Sequence, residues 1–442
     1  MARASDLFYA SLAIDDIAES KNLKISPTAY TDNFADIIVT PLYMYQSIPQ
    51  VTSSGTFLKY IQLIRSEVLD NAHVLGNMAM LDTMGYAWTW GVNISGQLGD
   101  NTTTDSYIPV SVVGNRRFNQ ITTDGSALND SLACAALDYD GYGWSWGSNA
   151  GGRLGDNTMT GRSSPASIVG TRQFVSLTAN PTISAGSVGF RALDISGFAW
   201  AWGLNNNGDL GDNTVISRSS PVSVVGGLNF VAIDGNIAID TNNNCWAWGP
   251  NTYGQLGNNT TTNTSSPIGV LEIANVIQVA SGGNHNLLLT SDGYCWAVGN
   301  NAYGELGNNT IDNKSLPTSI AKRKFIQICA GVDGLDELFG GNGSSFGLDD
   351  NGMIWAWGSN KFGQLGDGTT THRSVPVSVR QGTRKMVQLN YNYGTTTAID
   401  MDGNVWSWGR IIWAESTVEH PTTNCSNPVM LPSNLKGLVK KY

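Results

Sequence analysis

Residues 355–379 read WAWGSNKFGQLGDGTTTHRSVPVSV, and versions of this stretch return along most of the chain. Its anchor is Trp-x-Trp-Gly, and a seventh copy carries Val298 in place of the second tryptophan. The shortest step between successive copies runs from Trp200 to Trp246, and the longest runs from Trp296 to Trp355. A unit of this length is one small supersecondary element that must stack on its neighbours, so the period predicts a propeller of seven small sheets. The first tryptophans are Trp88, Trp144, Trp200, Trp246, Trp296, Trp355 and Trp406.

A tight turn precedes each tryptophan pair. An aspartate stands six residues before the first tryptophan in six units, and Thr290 takes its place in the fifth. Three residues after it comes a glycine, or Asn243 in the fourth unit. Aspartate at the first turn position and glycine or asparagine at a left-handed position are typical of hairpins. Each unit is therefore predicted to hold a β-hairpin whose second strand carries both tryptophans on one face.

A second turn follows ten residues after the first tryptophan, where a leucine lies between two glycines. We expect this leucine to pin the loop to the core. In six units a proline follows at a constant distance from the first tryptophan, and it is expected to open an outer edge strand, where the missing amide is tolerated. The leucines are Leu98, Leu154, Leu210, Leu256, Leu306 and Leu365, and the prolines are Pro109, Pro165, Pro221, Pro267, Pro317 and Pro376.

The string Trp-x-Trp-Gly-x-Asn-x-x-Gly-Gln-Leu-Gly, followed by Pro-x-x-Val, resembles the regulator of chromosome condensation repeat. The resemblance covers roughly residues 57–442. It implies an all-β fold: a seven-bladed β-propeller of four-stranded blades at 57–442, preceded by an N-terminal arm at 1–56. The seventh unit departs from the pattern, because it lacks the second turn after Gly409. We expect residues 438–442 to return and pair with the first blade.

Composition excludes several classes of protein. The chain has a net charge of −10 and only 25 lysines and arginines, which is too few to hold a nucleic-acid backbone. It has no apolar run long enough for membrane insertion, and residues 1–20 lack the apolar core of a signal peptide. Five cysteines without a Cys-x-x-Cys pair indicate neither a disulfide framework nor a zinc site. No enzyme motif stands out, so no catalytic residue, cofactor or metal is expected.

The spacing varies in one part of the unit. The gap from each proline to the next hairpin turn is shortest from Pro221 to Asp240 and longest from Pro317 to Asp349, so insertions concentrate after the first strand of a blade, on one face of the propeller. Insertions on one face are typical of a binding face, and neutral drift of loop length is the alternative. The arm packs either on its own propeller or on a neighbouring subunit. The candidate partner-binding residues are Phe8, Tyr9, Tyr43 and Tyr45 in the arm and Asp124, Asn129, Asp333, Asp336 and Phe339 in the insertions.

The low charge and the abundance of asparagine, glycine, serine and threonine favour a non-catalytic structural or interaction protein. By compositional analogy we expect a phage virion component (tail, fibre or decoration), attached through its arm and one loop face. Its partners would be other virion or assembly proteins, or a host-surface glycan or protein. Its location would be the virion or the cell exterior without a signal peptide, with the cytoplasm as the alternative. The family resemblance implies a second function, in which the propeller regulates a partner as a GTPase exchange factor or as an enzyme inhibitor does.

Overall fold

The computed structural model describes residues 50–51, 57–58, 64–70, 73–82, 84–124, 132–179, 189–332, 343–392, 394–411 and 423–430. Two short strands, β1 (Gln50–Val51) and β2 (Phe57–Leu58), pair with each other in antiparallel fashion. They lie on either side of the boundary predicted at residue 56. Because most of residues 1–56 lie outside the described residues, the division into arm and propeller stays a prediction.

Within the described residues, the other strands form seven four-stranded sheets in which consecutive strands are neighbours, and we number these sheets blades 1 to 7. Blades 1 to 3 are β3 (Ile64–Asp70), β4 (His73–Leu81), β5 (Ala87–Gly91), β6 (Ser106–Ser111); β7 (Phe118–Asp124), β8 (Ala133–Asp138), β9 (Gly143–Gly147), β10 (Arg162–Ser167); and β11 (Phe174–Ala179), β12 (Gly189–Asp194), β13 (Ala199–Gly203), β14 (Arg218–Ser223).

Blades 4 to 7 continue the same order, and each blade is one continuous segment of chain. They are β15 (Phe230–Asp234), β16 (Ile237–Asp240), β17 (Cys245–Gly249), β18 (Thr264–Gly269); β19 (Val276–Ser281), β20 (His285–Thr290), β21 (Tyr294–Gly299), β22 (Lys314–Lys324); β23 (Gln327–Val332), β24 (Gly343–Leu348), β25 (Ile354–Gly358), β26 (Arg373–Ser378); and β27 (Met386–Asn392), β28 (Thr395–Asp400), β29 (Val405–Ile411), β30 (Thr423–Met430).

The blades are arranged around a common axis. The first strand of each blade packs against the preceding blade, and β27 of blade 7 lies beside β3 of blade 1. First strands are therefore innermost and fourth strands outermost. The predicted all-β propeller of four-stranded blades is confirmed. The expected pairing of residues 438–442 with the first blade lies outside the described residues.

Antiparallel order gives the propeller two distinct faces. The turns after the first and third strands leave one face, which we call the loop face. The turns after the second strands leave the opposite face, which we call the hairpin face. The predicted hairpins are confirmed there, as at Asp138, whose amide bonds the carbonyl of Tyr142 at 3.0 Å. The insertions fall between first and second strands, as predicted.

The outer strands correct one expectation. Pro165 is the fourth residue of β10, so the prediction that proline opens this strand was wrong. The strand starts at Arg162, and its register against β9 shifts between Arg162 and Ala166. An irregular edge strand tolerates proline because no neighbour needs the missing amide at that point.

The core lies between blades. In blade 3, Trp202 is fully buried and packs with Ala133 and Leu137 of blade 2. Burying a tryptophan removes about 200 Å² from water, which stabilises the fold by about 5 kcal/mol at most. The leucines of the second turns are 0–1% exposed, which confirms that they pin these loops to the core. Cys245 and Cys295 are buried as well.

Candidate interaction surface

The two tryptophans of a pair have different surroundings. The second is buried, whereas the first is half-buried in all but the last blade. Outside blade 5, which has Thr290 in place of the aspartate, the first tryptophan bonds the aspartate of its own hairpin. In blade 3 the Asp194 carboxylate accepts the Trp200 indole N–H at 2.8 Å and the amides of Ser196 and Phe198 at 2.9 and 3.0 Å. Six blades have this indole–carboxylate bond. The aspartate thus closes the turn and fixes the tryptophan, which explains the constant spacing of six residues.

Arginine covers the first tryptophan in four blades. The guanidinium carbon of Arg116 lies 3.2 Å from the centre of the Trp144 ring, and that of Arg172 lies 3.5 Å from Trp200. Arg323 and Arg384 stack in the same way on Trp355 and Trp406. Such cation–π contacts are worth about 0.5–1 kcal/mol each at exposed sites. They also occupy the indole faces, so these four hairpins do not offer open stacking platforms.

On the loop face, one buried asparagine organises each of six segments, which we call the docking loops. In blade 3 the Asn205 amide nitrogen donates to the carboxylate of Asp212 and to the carbonyls of Thr214 and Ile216, at 3.1–3.2 Å. Its carbonyl oxygen accepts the Leu210 amide at 2.9 Å. A fully buried side chain with this many partners holds the loop in one conformation. The docking loops are residues 93–102, 149–158, 205–214, 251–260, 301–310 and 360–369.

Ion pairs close three of the docking loops. Burial tends to raise the pKa of Asp212, but hydrogen bonds from Thr214 and Arg218 outweigh it and hold that pKa below its ordinary value. The Arg218 guanidinium donates to the carboxylate at 2.9–3.0 Å. The equivalent pairs are Arg162 with Asp156 and Arg373 with Asp367.

Each docking loop reaches the next blade. The Asn213 amide donates to the carbonyl of Ser265 in β18 at 2.7 Å. A Cβ added to Gly208 would lie 2.6 Å from the Ser265 Cα, and one added to Gly211 would lie 3.0 Å from the Trp248 indole nitrogen. Both glycines have positive φ, so close approach and backbone conformation alike require glycine. The Trp248 indole N–H in turn donates to the Asp209 carbonyl at 3.0 Å.

Polar side chains on the innermost strands also bridge blades. The Gln278 side chain donates to the Ile328 carbonyl and accepts the Ile328 amide, both at 2.9 Å. Near the axis, Asp234 accepts the Thr178 hydroxyl and the Ser281 amide at 3.0 and 2.9 Å, which joins blades 3, 4 and 5. Burial raises the pKa of Asp234 to about 6 despite these two bonds.

The connections between first and second strands, which we call the variable loops, differ in length from blade to blade. Only Gly235 and Asn236 join the strands in blade 4, whereas the whole segment 333–342 joins them in blade 6. Residues 125–132 and 180–188 form the other two long connections, in blades 2 and 3. The three long variable loops emerge on the same face as the docking loops. That face therefore combines fixed and variable elements.

The structure describes one of the nine predicted partner residues. Asp124 ends β7 and so leads directly into the long connection of blade 2. The other eight predicted residues, in the arm and in the long variable loops, lie outside the described residues. Their assignment as contacts stays a prediction.

The one His–Ser contact of the described residues is buried. His285 Nε2 lies 2.9 Å from the Ser345 hydroxyl, and that hydroxyl donates to the Glu305 carbonyl at 2.8 Å. Because the serine proton is already donated, the histidine does not act as its base. Burial lowers the pKa of His285 to about 4 and raises that of Cys329 to about 12. Within the described ranges, histidine, cysteine and acidic side chains form no group of three that could hold a metal ion.

Comparison with known families finds a repeat that matches parts of the chain. Residues 84–123, 242–289, 292–334 and 351–397 match the family model described as "Regulator of chromosome condensation (RCC1) repeat", and a second model of the same description matches residues 276–305. These matches agree with the repeat units read from the tryptophan spacing. The part of the chain that the structure describes contains no helix that is long and apolar enough to span a membrane.

Curated relatives extend the similarity to most of the chain. The ultraviolet-B receptor UVR8 of Arabidopsis thaliana is 25% identical over 332 residues, which are 74% of this chain and 60% of the receptor. The mitochondrial RCC1 domain-containing protein RUG3 of the same plant is 27% identical over 308 residues, which are 68% of this chain and 56% of that protein. The chain therefore spans somewhat over half the length of these relatives.

Solved structures support the fold. Human WBSCR16 superposes with a TM-score of 0.63 at 16% identity, over 78% of this chain and 94% of that one. Prp20p of Saccharomyces cerevisiae, studied with its binding to Gsp1p and histones, gives 0.63 at 19% identity over 78% and 85%. At these identities the similarity establishes the propeller architecture.

Proposed function

We propose that the chain is a seven-bladed member of the regulator of chromosome condensation repeat family and acts as a non-catalytic, protein-binding propeller. The observation that carries the proposal is the contrast on the loop face. Six docking loops repeat one hydrogen-bonded geometry, while the variable loops between them range from the short Gly235–Asn236 turn to the long segment 333–342. A rigid base with a few long loops is the arrangement that proteins use to present binding residues.

The partner is inferred to bind the long variable loops of blades 2, 3 and 6. Asp124, Asn129, Asp333, Asp336 and Phe339 would supply its contacts, mixing carboxylates with one aromatic anchor. A protein partner with a basic, partly apolar surface fits this set best. The overall charge of −10 would favour approach of such a partner.

Two kinds of partner remain to be separated. The composition favours virion subunits, with the arm (Phe8, Tyr9, Tyr43 and Tyr45) as the attachment. The similarity to Prp20p, a protein studied with its binding to Gsp1p, favours regulation of a GTPase-like partner. Virion assembly requires that the chain join other subunits through its arm, whereas regulation requires only the loop face.

The test combines molar mass with capture. Light scattering would compare the full chain with a chain that starts at Ser53, and both would serve as bait in source-cell lysates and with purified virion proteins. Assembly or capture that depends on residues 1–52 would support the virion partner. Capture by both chains, lost in an Asp333→Ala, Asp336→Ala, Phe339→Ala variant, would support a regulatory partner on the loop face. Capture that survives both changes would refute the proposed surface.

A further inference from the structure

In the six blades with a docking loop, the residue just before the outer strand has a recurring role, and we call its place the acceptor position. It lies twelve residues after the buried asparagine of the docking loop, and in five blades its side chain accepts the backbone amide of that asparagine. The bond ties the first residue of the docking loop to the start of the outer strand. The acceptors, at 2.7–3.3 Å, are Asp105, Ser217, Asn263, Asn313 and His372.

Blade 6 differs from the other four blades in the chemistry of its acceptor. The Asn360 amide donates to Nδ1 of His372 at 3.0 Å, so the proton of the neutral ring is on Nε2. Carboxyl, amide and hydroxyl oxygens can accept a hydrogen bond in every protonation state, whereas an imidazole nitrogen accepts only while it carries no proton. A proton on Nδ1 would therefore place two donors against each other at the start of this docking loop.

The charged and titratable groups around His372 favour its neutral form or are already paired. Partial burial and the Lys361 ammonium hold the pKa of His372 below its ordinary value. Tyr303, from the docking loop of blade 5, meets the imidazole edge to face with 4.7 Å between ring centres. Arg373 follows in the chain, and its guanidinium donates to the Asp367 carboxylate at 2.7–2.9 Å. The folded chain thus selects the ring form that can accept the Asn360 amide.

His372 also lies where two docking loops meet. Its ring contacts the docking loop of blade 5 through Tyr303, and its Nδ1 bonds the docking loop of blade 6. That second loop reaches blade 7, because the Gly368 amide donates to the Ser426 carbonyl at 2.8 Å. A change at His372 is therefore transmitted to contacts among blades 5, 6 and 7.

Blade 2 shows how much depends on this bond. Its acceptor position is Gly161, which has no side chain to accept the Asn149 amide. The docking loop of blade 2 nevertheless keeps the bond from the Leu154 amide to the Asn149 side chain at 2.9 Å. Loss of the acceptor is therefore expected to loosen a docking loop and not to unfold it.

We propose that His372 is an acid-sensitive switch within the fold. When Nδ1 takes up a proton, the docking loop of blade 6 loses its first hydrogen bond and opens more often, while the docking loops whose acceptors are oxygens keep theirs. Acidification thereby loosens one selected loop, at the contacts among blades 5, 6 and 7, in an otherwise closed structure.

The protonation state of the ring is the first test. Nitrogen-15 NMR of the full chain, with His372→Asn to assign the signals, reports the tautomer and the midpoint of titration. We expect the Nε2–H tautomer at about pH 7.5 and a midpoint below the ordinary value of 6.5. A ring that carries its neutral proton on Nδ1, or that titrates above 6.5, would overturn the proposal.

Hydrogen exchange of the full chain is the second test, at about pH 7 and at one pH unit below the measured midpoint, with rates corrected for the pH dependence of free amides. We expect protection in residues 360–369 to fall about fivefold more than in residues 251–260, whose acceptor is Asn263. His372→Asn copies that acceptor and should abolish the difference, although it retains His285. An equal fall in the two loops of the wild type, or the same difference in His372→Asn, would show that His372 is not the switch.

A glycine variant reproduces the open form without acid. His372→Gly copies Gly161 of blade 2, so at about pH 7 its residues 360–369 should be about fivefold less protected than those of the wild type. Its protection should then change no further on acidification relative to residues 251–260. Wild-type protection in His372→Gly at about pH 7 would mean that the bond to Nδ1 does not hold the loop, and the switch would be refuted.

Discussion

Docking loops and variable loops leave the same face of the propeller, yet they follow opposite rules. The docking loops, between third and fourth strands, repeat a buried asparagine, two glycines and a leucine in six blades. The variable loops, between first and second strands, share no such motif and differ in length from blade to blade. Each docking loop bonds the next blade through one repeated geometry, whereas the Gly235–Asn236 turn bonds the preceding blade through Asn236 alone, which contacts Arg191 and Asp209. One face therefore combines repeated contacts between blades with the loops that we propose bind a partner.

The largest expected effect on stability comes from removing the buried asparagine at the centre of a docking loop. Asn205→Ala removes the five hydrogen bonds of a fully buried side chain and leaves buried partners unsatisfied. We expect the free energy of unfolding to fall by about 4 kcal/mol, measured by chemical denaturation. Asn206→Ala, next to it and exposed, should change it by less than about 0.5 kcal/mol. Similar losses in both variants would mean that the buried asparagine does not organise the loop.

The second prediction concerns His285, which is 1% exposed at the junction of blades 5 and 6. Its folded pKa of about 4 lies below the ordinary value of 6.5, so the unfolded chain binds the proton more readily between these values. Above pH 6.5 His285 therefore places no penalty on folding. As the pH falls from 6.5 toward 4, its titration lowers the free energy of unfolding by about 3 kcal/mol.

Unfolding of the wild type and of His285→Gln, measured at about pH 7 and about pH 4, checks this. The variant should lose less stability on acidification than the wild type does, because Gln does not titrate. Equal losses in the two proteins would assign the pH dependence to other groups.

A third prediction concerns two glycines and separates the cost of a steric clash from the cost of the backbone conformation. Gly366 and Gly382 have nearly the same φ, +66° and +67°. A Cβ on Gly366 would lie 2.6 Å from the Trp408 indole nitrogen, while one on Gly382 would meet nothing closer than 3.6 Å. We expect Gly382→Ala to cost about 1 kcal/mol and Gly366→Ala about 2 kcal/mol more, in denaturation midpoints. Equal costs would show that the junction yields to an added methyl group.

The smallest effect on stability belongs to the variable loops. Asp333→Ala, Asp336→Ala and Phe339→Ala together should change the free energy of unfolding by less than about 0.5 kcal/mol, because these residues lie in the connection between β23 and β24 and belong to neither strand. The same variant should lose its partner. Ile195→Ala with Met401→Ala, at the exposed hairpin tips of the opposite face, is the control and should retain it. If only the control loses the partner, the binding surface lies on the hairpin face.

The hairpins, the four-stranded blades and the positions of the insertions could be predicted from the sequence, because these features depend on local spacing. Asp194 is expected from the sequence as a turn residue, but its bond to Trp200 was missed, although the fixed spacing of six was visible. Pro165 was wrongly expected at the start of a strand, because an irregular edge strand has no local signature. The contact between a docking loop and the serine of the next outer strand could not be predicted, since it joins residues such as Gly208 and Ser265 from neighbouring repeats, and only the folded ring brings them together. The candidate partner residues stay predictions because all but Asp124 lie outside the described residues.

The contact from each docking loop to a serine in the outer strand of the next blade also defines the unit that a gene duplication could copy in such a chain. A segment that runs from one outer-strand serine to the next contains one such serine and one docking loop. The serine contacts the docking loop of the preceding blade, and the docking loop contacts the serine of the following blade. A copy inserted among blades 2 to 6 would find both of its partners in place, so duplication or loss of a whole unit leaves every internal joint intact. Blade 1 has Tyr107 at the position of this serine, so a copy of blade 1 would lack the receiving residue. The number of blades can therefore change in the middle of the chain while the contacts between docking loops and serines are kept.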